Sequence, residues 1–360
     1  MKKIVAFDTL RFILALCVVF GHTFIVLMRN APTQLVVVQN LAVDGFFILS
    51  GFLLAMSCAR RADDNPGQSF VSLTKSRILR LYPEYLFAIL FTIVMGAIFG
   101  LHTDTSALMF NLVFIAQVNK VPAVVNGSWY ISVLFWVGCL YSAVLLNRTA
   151  SSVRQSSMRL LTIPLISLIA FTCMYTSYTG LSLNSEPLFA GILSAGFLKG
   201  LLDIGIGIFA FDVCQYLRHN PIRLRFSKAI FVFMELAVLA VLVVCMGYRH
   251  LSQTEYLVLF AFPVLIGLYY FRKETITRFF SWHGWERITP AAYTLFLTHV
   301  VILDAIRQSG IPVRTYPRIW TYIVIALICV VVAYVCYHAQ KWLFGKLKAV
   351  FLIENGGTGK

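Results

Sequence analysis

Residues 5–27 read VAFDTLRFILALCVVFGHTFIVL and form the first long apolar run of the chain. A run of about twenty such residues crosses the ~30 Å hydrocarbon core of a bilayer as one α-helix. This run also contains Arg11 and His22, although an ionisable side chain at membrane depth costs about 2.5–3.5 kcal/mol on insertion scales. Each of the two side chains therefore needs a partner or a function. The segment predicts a membrane helix that carries chemistry.

Composition places the whole chain in the same class as its first segment. Hydrophobic residues make up 59% and charged residues 12% of the 360, and the mean hydropathy is +0.81. Soluble domains are roughly half apolar and a quarter charged, so these values exclude that class. The apolar runs of membrane-spanning length are residues 5–27, 36–58, 78–100, 127–147, 160–178, 188–211, 229–247, 255–271, 289–307 and 319–343. We therefore predict an all-α fold, a polytopic membrane bundle of about ten transmembrane helices.

The basic residues predict the orientation of this bundle. If the N-terminus is cytoplasmic, 22 Lys and Arg residues lie in cytoplasmic segments and 6 in segments on the other side. Cytoplasmic loops of membrane proteins carry such an excess, so we expect both termini in the cytoplasm. The same distribution accounts for the net charge of +15 without a nucleic-acid partner, because the basic residues form no continuous stripe.

The chain is interpreted as one membrane domain, residues 1–345, followed by a flexible, glycine-containing cytoplasmic tail, residues 346–360. Residues 108–118 are apolar but too short to span, which predicts a re-entrant or interfacial piece. The eight cysteines show no CxxC or Cys/His spacing. They are interpreted as packing residues, and no metal site is expected.

Arg11 and His22 share one face of their helix. Eleven steps of 100° return to within about 20° of the starting direction, with a rise of about 16 Å. Both side chains therefore face one cavity, Arg11 near its cytoplasmic end and His22 toward the outer leaflet. Arg11 could bind a phosphate group or pair with Asp8, one turn earlier. The two residues indicate a path across the membrane.

Asp44 lies in the second predicted span at nearly the depth of His22, because the two helices are antiparallel. A carboxylate bonded to one ring nitrogen would fix the tautomer and make the other nitrogen a better general base. We therefore predict His22 and Asp44 as the catalytic pair. The alternative is that Asp44 only satisfies backbone groups or a hydroxyl at the membrane interface.

Arg77 and Arg80 stand three residues apart at the cytoplasmic start of the third span. Neighbouring guanidinium groups on one helical face make a phosphate clamp, since each can hold phosphate oxygens in bidentate fashion. The alternative is plain positive-inside anchoring. Glu84, one turn beyond Arg80, is either a salt-bridge partner or a site residue.

Three further polar residues within the spans fit a structural role more simply. His299, in the ninth span, is interpreted as a hydrogen-bonded structural histidine when it is taken alone. Lys199 and Asp203, at positions i and i+4 of the sixth span, look like a self-neutralising intramembrane pair. We expect that pair to be structural.

Five motifs in order resemble those of the acyltransferase 3 family of membrane acyltransferases, and together they cover nearly the whole chain. The matching segments are Arg11 and His22 with ten residues between them for R-x10-H, DGFFILSGF at 44–52 for D-x-F-F-x-x-S-G-F, RILRLYP at 77–83 for R-x-x-R-x-x-P, GSWYIS at 127–132 for S-W-S-L-S, and YTLFLTH at 293–299 for Y-x-x-Y-L-x-H. Phe296 replaces the second tyrosine of the last motif. Leu134 stands where the family often carries a glutamate, so either Glu84 or another carboxylate substitutes, or none is needed.

The resemblance implies an enzyme, a membrane O-acyltransferase that moves an acyl group, expected to be acetyl, from cytoplasmic acetyl-CoA. The acceptor would be a hydroxyl of a cell-surface or lipid-linked glycan on the extracytoplasmic side of a bacterial inner membrane. His22 would be the base, and Asp44 would orient it. The other implied site residues are Arg11, Arg77 and Arg80 for the donor, and Trp129, Tyr130, His299 and Glu84 for substrate binding.

Two alternatives stay open at the level of sequence. Transfer is either direct or by way of an acyl-histidine intermediate, and no residue pattern separates the two. A transporter of a lipid-linked glycan or anion would also carry buried charges. Against the transporter, the charges cluster in spans one to three, and neither repeated halves nor paired broken helices are visible. We therefore favour an enzyme.

Overall fold

The structure is a computed structural model. It describes residues 4–28, 39–61, 65–116, 121–146, 153–178, 194–220, 228–247, 254–271, 277–313 and 318–356. Of these, residues 153–161, 228, 255, 277–278, 318 and 347–356 are described by their backbone alone. Within these ranges every regular element is helical, and no strand is present. The helices are α1 (Val5–Leu27), α2 (Gln39–Ala59), α3 (Pro66–Phe99), α4 (Leu108–Leu112), α5 (Ser128–Leu146), α6 (Val153–Tyr178), α7 (Ala195–His219), α8 (Lys228–Gly247), α9 (Thr254–Phe271), α10 (Thr277–Phe280), α11 (Trp285–Ile288), α12 (Ala292–Gln308) and α13 (Arg318–Gly356). A 3₁₀ turn at Thr289–Ala291 leads into α12.

Each predicted span overlaps one long helix, although residues 36–38, 147 and 188–193 of three predicted spans lie outside the described residues. The described stretches that are long and apolar enough to cross a membrane number 7, and they are Val5–Leu27, Gln39–Ala59, Pro66–Phe99, Ser128–Leu146, Ala229–Gly247, Trp285–Gln308 and Ile319–Lys346. Thr162–Thr176 and Tyr256–Phe271 are shorter apolar helices. The prediction of an all-helical, multi-pass membrane protein is thus confirmed. The exact number of spans and the cytoplasmic side of both termini stay predictions.

Part of the sequence prediction falls outside the described residues. Basic residues used for the orientation, among them Arg29, Lys120 and Arg225, belong there, as do residues 357–360 of the predicted tail. Helix α13 continues to Gly356, past the point where the tail is predicted to begin. The division into a membrane domain and a tail stays a prediction.

Helix α3 starts earlier than predicted, and its first residues explain why. Asn65 caps it by accepting hydrogen bonds from the backbone N–H groups of Gly67 and Gln68, at 3.0 and 3.4 Å, and Pro66 occupies the first turn. Asparagine at the cap and proline at the first helical position are favoured at a helix N-terminus. Both arginines of the predicted phosphate clamp therefore lie inside one continuous helix.

The described part of segment 108–118 contains the short helix α4, which is tied down by a buried asparagine. The side-chain amide of Asn111 donates hydrogen bonds to the carbonyl oxygens of Ala107 and Pro122, at 2.9 and 2.8 Å. Its carbonyl oxygen accepts the N–H of Val124 at 3.1 Å. The segment is thereby fastened to the chain that leads into α5, as suits a piece that does not span the membrane.

Helices α2 and α7 pack with their backbones in close approach. A Cβ atom at Gly51 would overlap the carbonyl of Ile204, and one at Gly207 would overlap the carbonyl of Ile48. Small residues at membrane helix interfaces permit such an approach. Helix α1 packs against α2 and α12, and α12 packs also against α3 and α13. This arrangement surrounds a cavity with residues of α1, α2, α3, α5 and α12.

Candidate functional site

The cavity has a volume of about 290 Å³ and combines charged with aromatic walls. The predicted site residues that line it are Arg11, Arg80, Glu84 and Tyr130. Its other walls include Asp8, Phe46, Ser50, Leu134, Tyr293 and Phe296. The structure thus brings together residues from all five motifs that carry the family resemblance.

Two guanidinium groups line the cavity. Arg11 Nη1 pairs with Asp8 Oδ1 at 3.0 Å, which confirms the contact expected one turn apart. The exposed Arg80 reaches the same cavity from α3 and is close enough for its charge to act on Arg11. Like charges at one cavity repel each other, and an anionic ligand between them relieves that repulsion. A phosphate group would be held there by charge-assisted hydrogen bonds.

A second polar part of the cavity is formed by Glu84 and Tyr293. Glu84 Oε2 accepts a hydrogen bond of 2.8 Å from the hydroxyl of Thr294. The hydroxyl of Tyr293 is buried and makes no hydrogen bond within the described residues. Leu134 lines the same cavity as Glu84, so this cavity contains a carboxylate although position 134 does not supply one. Both polar groups are available to a ligand.

His22 and His299 form a direct contact. His299 Nε2 lies 3.2 Å from His22 Nδ1, and the two ring centroids are 5.0 Å apart. His299 is buried, and its Nδ1 lies 2.7 Å from the carbonyl oxygen of Phe296. His22 Nδ1 also lies 3.1 Å from the carbonyl oxygen of Val18. Neither histidine belongs to the lining of the cavity, although His299 is one helical turn from Phe296, which does.

The backbone contacts assign the tautomers of both histidines. A carbonyl oxygen only accepts hydrogen bonds, so the proton of neutral His299 is on Nδ1 and is donated to Phe296. Its Nε2 is then an acceptor, and the proton of His22 is on Nδ1, shared between Val18 and His299. His22 Nε2 therefore carries a lone pair. This is the arrangement that a general base requires.

Asp44 makes a different contact from the one expected. Its Oδ1 lies 3.0 Å from Lys199 Nζ, and Lys199 Nζ lies 2.9 Å from Asp203 Oδ1. We call these three residues, none of which is more than 1% exposed, the ion-pair cluster. The close packing of α2 on α7 turns Asp44 toward Lys199, and His299 takes the orienting position at His22. This corrects the expected contact between Asp44 and His22, and it confirms the pairing of Lys199 with Asp203. A part of Asp44 in catalysis stays a prediction.

Arg77 and Arg80 point to different surroundings. Three residues along a helix leave two side chains about 60° apart, which is enough for different neighbours. The guanidinium of Arg77 packs over Gly138 of α5, where a Cβ would overlap it. Among the described residues, one of its buried nitrogens has no hydrogen-bond partner. Arg80 lines the cavity, and Arg77 is not among the lining residues. The role of Arg77 in donor binding stays a prediction.

Trp129 and Tyr130 are adjacent but only one of them reaches the cavity. Trp129 packs against Phe47, with ring centroids 6.1 Å apart, and lies over Gly196 in the first turn of α7. Tyr130 lines the cavity wall. Of the two aromatic residues predicted to bind substrate, the structure therefore brings Tyr130 to the other site residues.

Several residues near the site were missed by sequence reasoning. Phe46, Tyr293 and Phe296 carried a usable signal, because each belongs to a motif quoted above. Thr294 carried none, since a threonine within a membrane helix commonly bonds to its own backbone. Among the residues that the structure describes, no three His, Cys, Asp or Glu side chains are grouped so that they could hold a metal ion.

Comparison with curated proteins and with solved structures found no match. A family model described as an acyltransferase domain matches residues 4–338. The matched range runs from α1 into α13 and contains every predicted site residue. Because the match covers nearly the whole length, the chain belongs to the acyltransferase 3 family and is a membrane acyltransferase.

Proposed function

We propose that this acyltransferase moves an acyl group, acetyl in the first place, from cytoplasmic acyl-CoA to a hydroxyl of a cell-surface or lipid-linked glycan. The acceptor binds on the extracytoplasmic side of a bacterial inner membrane. The observation that carries the proposal is the contact between His22 and His299, one turn from a cavity lined by Arg11 and Arg80. It supplies a base and an anion-binding donor site within one membrane domain.

The cavity suits one end of a CoA thioester. Arg11 and Arg80 would bind phosphate groups, and Arg77, one turn earlier in α3, would add positive charge without lining the cavity. A volume of about 290 Å³ lies at the lower limit of ligand pockets, which hold roughly 300–1,000 Å³. The acyl group and the narrow arm of the donor therefore enter, whereas the nucleotide stays outside, near the exposed Arg80.

His22 would act as the general base. Its Nε2 takes the proton from the acceptor hydroxyl while that oxygen attacks the thioester carbonyl, a role typically worth about 10²–10⁴-fold. The carbon–sulfur bond then breaks, and the proton passes from His22 to the CoA thiolate. His299 is a positioning residue, because its Nε2 accepts the Nδ1 proton of His22 and stabilises the imidazolium. Glu84 and Tyr293 would contact the polar parts of the substrates.

The same nitrogen serves the second mechanism. In an acyl-histidine route, His22 Nε2 itself attacks the thioester, CoA leaves, and the acceptor hydroxyl attacks the acyl-imidazole in a second step. Membership of an acyltransferase family counts against the transporter alternative. We therefore retain two routes for one reaction.

Label transfer from acetyl-CoA tests the proposal. Purified protein in nanodiscs is given labelled acetyl-CoA and a panel of lipid-linked and polymeric glycans, and we expect label on at least one glycan. His22→Gln should lose at least about a hundredfold in rate. His219→Gln, the same change at an exposed histidine in the last turn of α7, is the matched control and should keep full activity. No transfer by the unsubstituted protein, or equal transfer by His22→Gln, rejects the proposal.

A further inference from the structure

Three aromatic side chains contact one another in the wall of the cavity. The ring centroids are 5.8 Å apart for Phe46 and Tyr130, 5.6 Å for Phe46 and Phe296, and 5.0 Å for Tyr130 and Phe296. The rings come from α2, α5 and α12, and each is no more than 7% exposed. We call these three residues the aromatic triad. Because every ring touches the other two, the triad forms a closed layer.

Phe296 connects the cavity to the histidine pair. All three rings of the triad line the cavity, whereas neither His22 nor His299 does. Along α12, Tyr293 and Phe296 face the cavity, and the next turn brings His299, whose ring centroid lies 6.1 Å from that of Phe296. An acyl group that enters the cavity therefore meets the ring of Phe296 before it reaches the histidine pair.

Phe296 is held less firmly than Tyr130. The hydroxyl of Tyr130 interacts with the side chain of Ser50. Phe296 has no hydroxyl, so only ring packing holds its side chain. Its backbone carbonyl accepts the proton of His299 Nδ1, and a rotation of the side chain leaves that hydrogen bond unchanged.

We propose that the aromatic triad determines which acyl groups reach His22, with Phe296 as the residue that limits chain length. The inference rests on the proposed function, since it takes the donor to be a thioester in the cavity. A two-carbon acyl group needs only a small displacement of one ring. A longer chain would have to part several packed rings at once, because the interior around them is close-packed.

The first test compares donors of different length. The ratio of kcat/KM for hexanoyl-CoA to that for acetyl-CoA is measured in the unsubstituted protein and in Phe296→Ala, and we expect the ratio to rise at least tenfold. Phe296→Leu keeps more of the packing, so it serves if the alanine variant does not fold, and it should raise the ratio to a smaller extent. Phe260→Ala truncates a phenylalanine that is 76% exposed on α9, and this control should leave the ratio unchanged.

The second test reads access to the histidine pair without enzyme activity. A cysteine replaces His299, and its modification by a small maleimide is followed with the native Phe296 and with Phe296→Leu or Phe296→Ala. The reaction of the chain without the new cysteine is subtracted. We expect at least a tenfold faster modification when the ring is removed. An unchanged rate would overturn the triad as a barrier.

The outcomes separate the triad from the proposed function. Faster modification with an unchanged donor ratio would overturn chain-length selection while leaving CoA-dependent transfer intact. Absence of transfer from both donors would reject the proposed function, and selection with it, although the modification rates would still report the barrier. A raised ratio in both Phe296 variants, together with faster modification, supports the proposal.

Discussion

The ion-pair cluster and the histidine pair are both buried polar centres in a membrane bundle, yet they differ in charge and in surroundings. The cluster holds three charged side chains, each at most 1% exposed, between helices that pack through glycine contacts. The hydrogen bonds of the histidine pair form with both rings neutral. Within the described residues, Nε2 of His22 makes no hydrogen bond, and the pair lies beside a cavity. We therefore propose that the charges of the ion-pair cluster hold helices together, whereas the neutral histidine pair next to the cavity serves the chemistry.

Loss of Lys199 should have the largest effect on stability. Lys199 is the shared partner of Asp44 and Asp203, so Lys199→Met leaves two buried carboxylates without it. Removing one partner of a buried ion pair costs about 3–5 kcal/mol, and we expect a comparable fall in the free energy of unfolding. Thermal unfolding in detergent and the amount of protein in the membrane measure it.

Asp44→Asn is the matched variant, and it separates a structural from a catalytic role of this residue. Lys199 keeps Asp203 as a partner, so the loss of stability should be smaller than for Lys199→Met. The folded fraction should retain most of its transfer activity. A protein of normal stability that has lost activity by a hundredfold would return Asp44 to the catalytic machinery and break the comparison.

Arg80 should show the next largest effect, in donor binding. A hydrogen bond to a charged group is worth about 1.5–3 kcal/mol, so Arg80→Gln should weaken CoA binding by roughly tenfold to a hundredfold. Arg77→Gln is the matched change in the preceding turn and should weaken binding less, since Arg77 packs over Gly138 and does not line the cavity. Isothermal titration with CoA measures both, and equal losses would support a clamp made of the two arginines.

Features that depend on one helix could be predicted from the sequence, whereas contacts between helices could not. Each membrane helix satisfies its own backbone, so the apolar runs predict the long helices without knowledge of their neighbours. Helical geometry likewise predicts a shared face for Arg11 and His22, but only Arg11 lines the cavity. The similar depth of Asp44 and His22 in the membrane predicts a contact between them. Depth does not determine how a helix is rotated about its own axis, and that rotation decides which way Asp44 points. The packing of Gly51 against the backbone of α7, and of Gly207 against the backbone of α2, sets that rotation.

Substitutions at His299 test the histidine pair, the uncharged one of the two buried polar centres. His299→Leu removes one of the two acceptors for the Nδ1 proton of His22 and leaves the carbonyl oxygen of Val18, so the tautomer with a free Nε2 is less strongly favoured. A hydrogen bond contributes about 0.5–1.5 kcal/mol, and we expect up to about a tenfold lower kcat with little change in KM for acetyl-CoA. His299→Gln keeps an acceptor oxygen and should retain more activity than His299→Leu. Equal losses in the two variants would make His299 a packing residue only.

An effect no larger than that of His299 is expected at Glu84, whose carboxylate lines the cavity. Glu84→Gln keeps an acceptor for Thr294 and removes the charge, so activity should fall by up to about tenfold, or 0.5–1.5 kcal/mol, without loss of stability. Leu134 lines the same cavity, so Leu134→Glu added to Glu84→Gln should restore the lost activity. Leu134→Glu alone is the control, and repulsion between two carboxylates should keep it at or below the unsubstituted rate. If the double variant has the unfolding temperature of the unsubstituted protein but does not regain transfer activity, the carboxylate is required at position 84 itself.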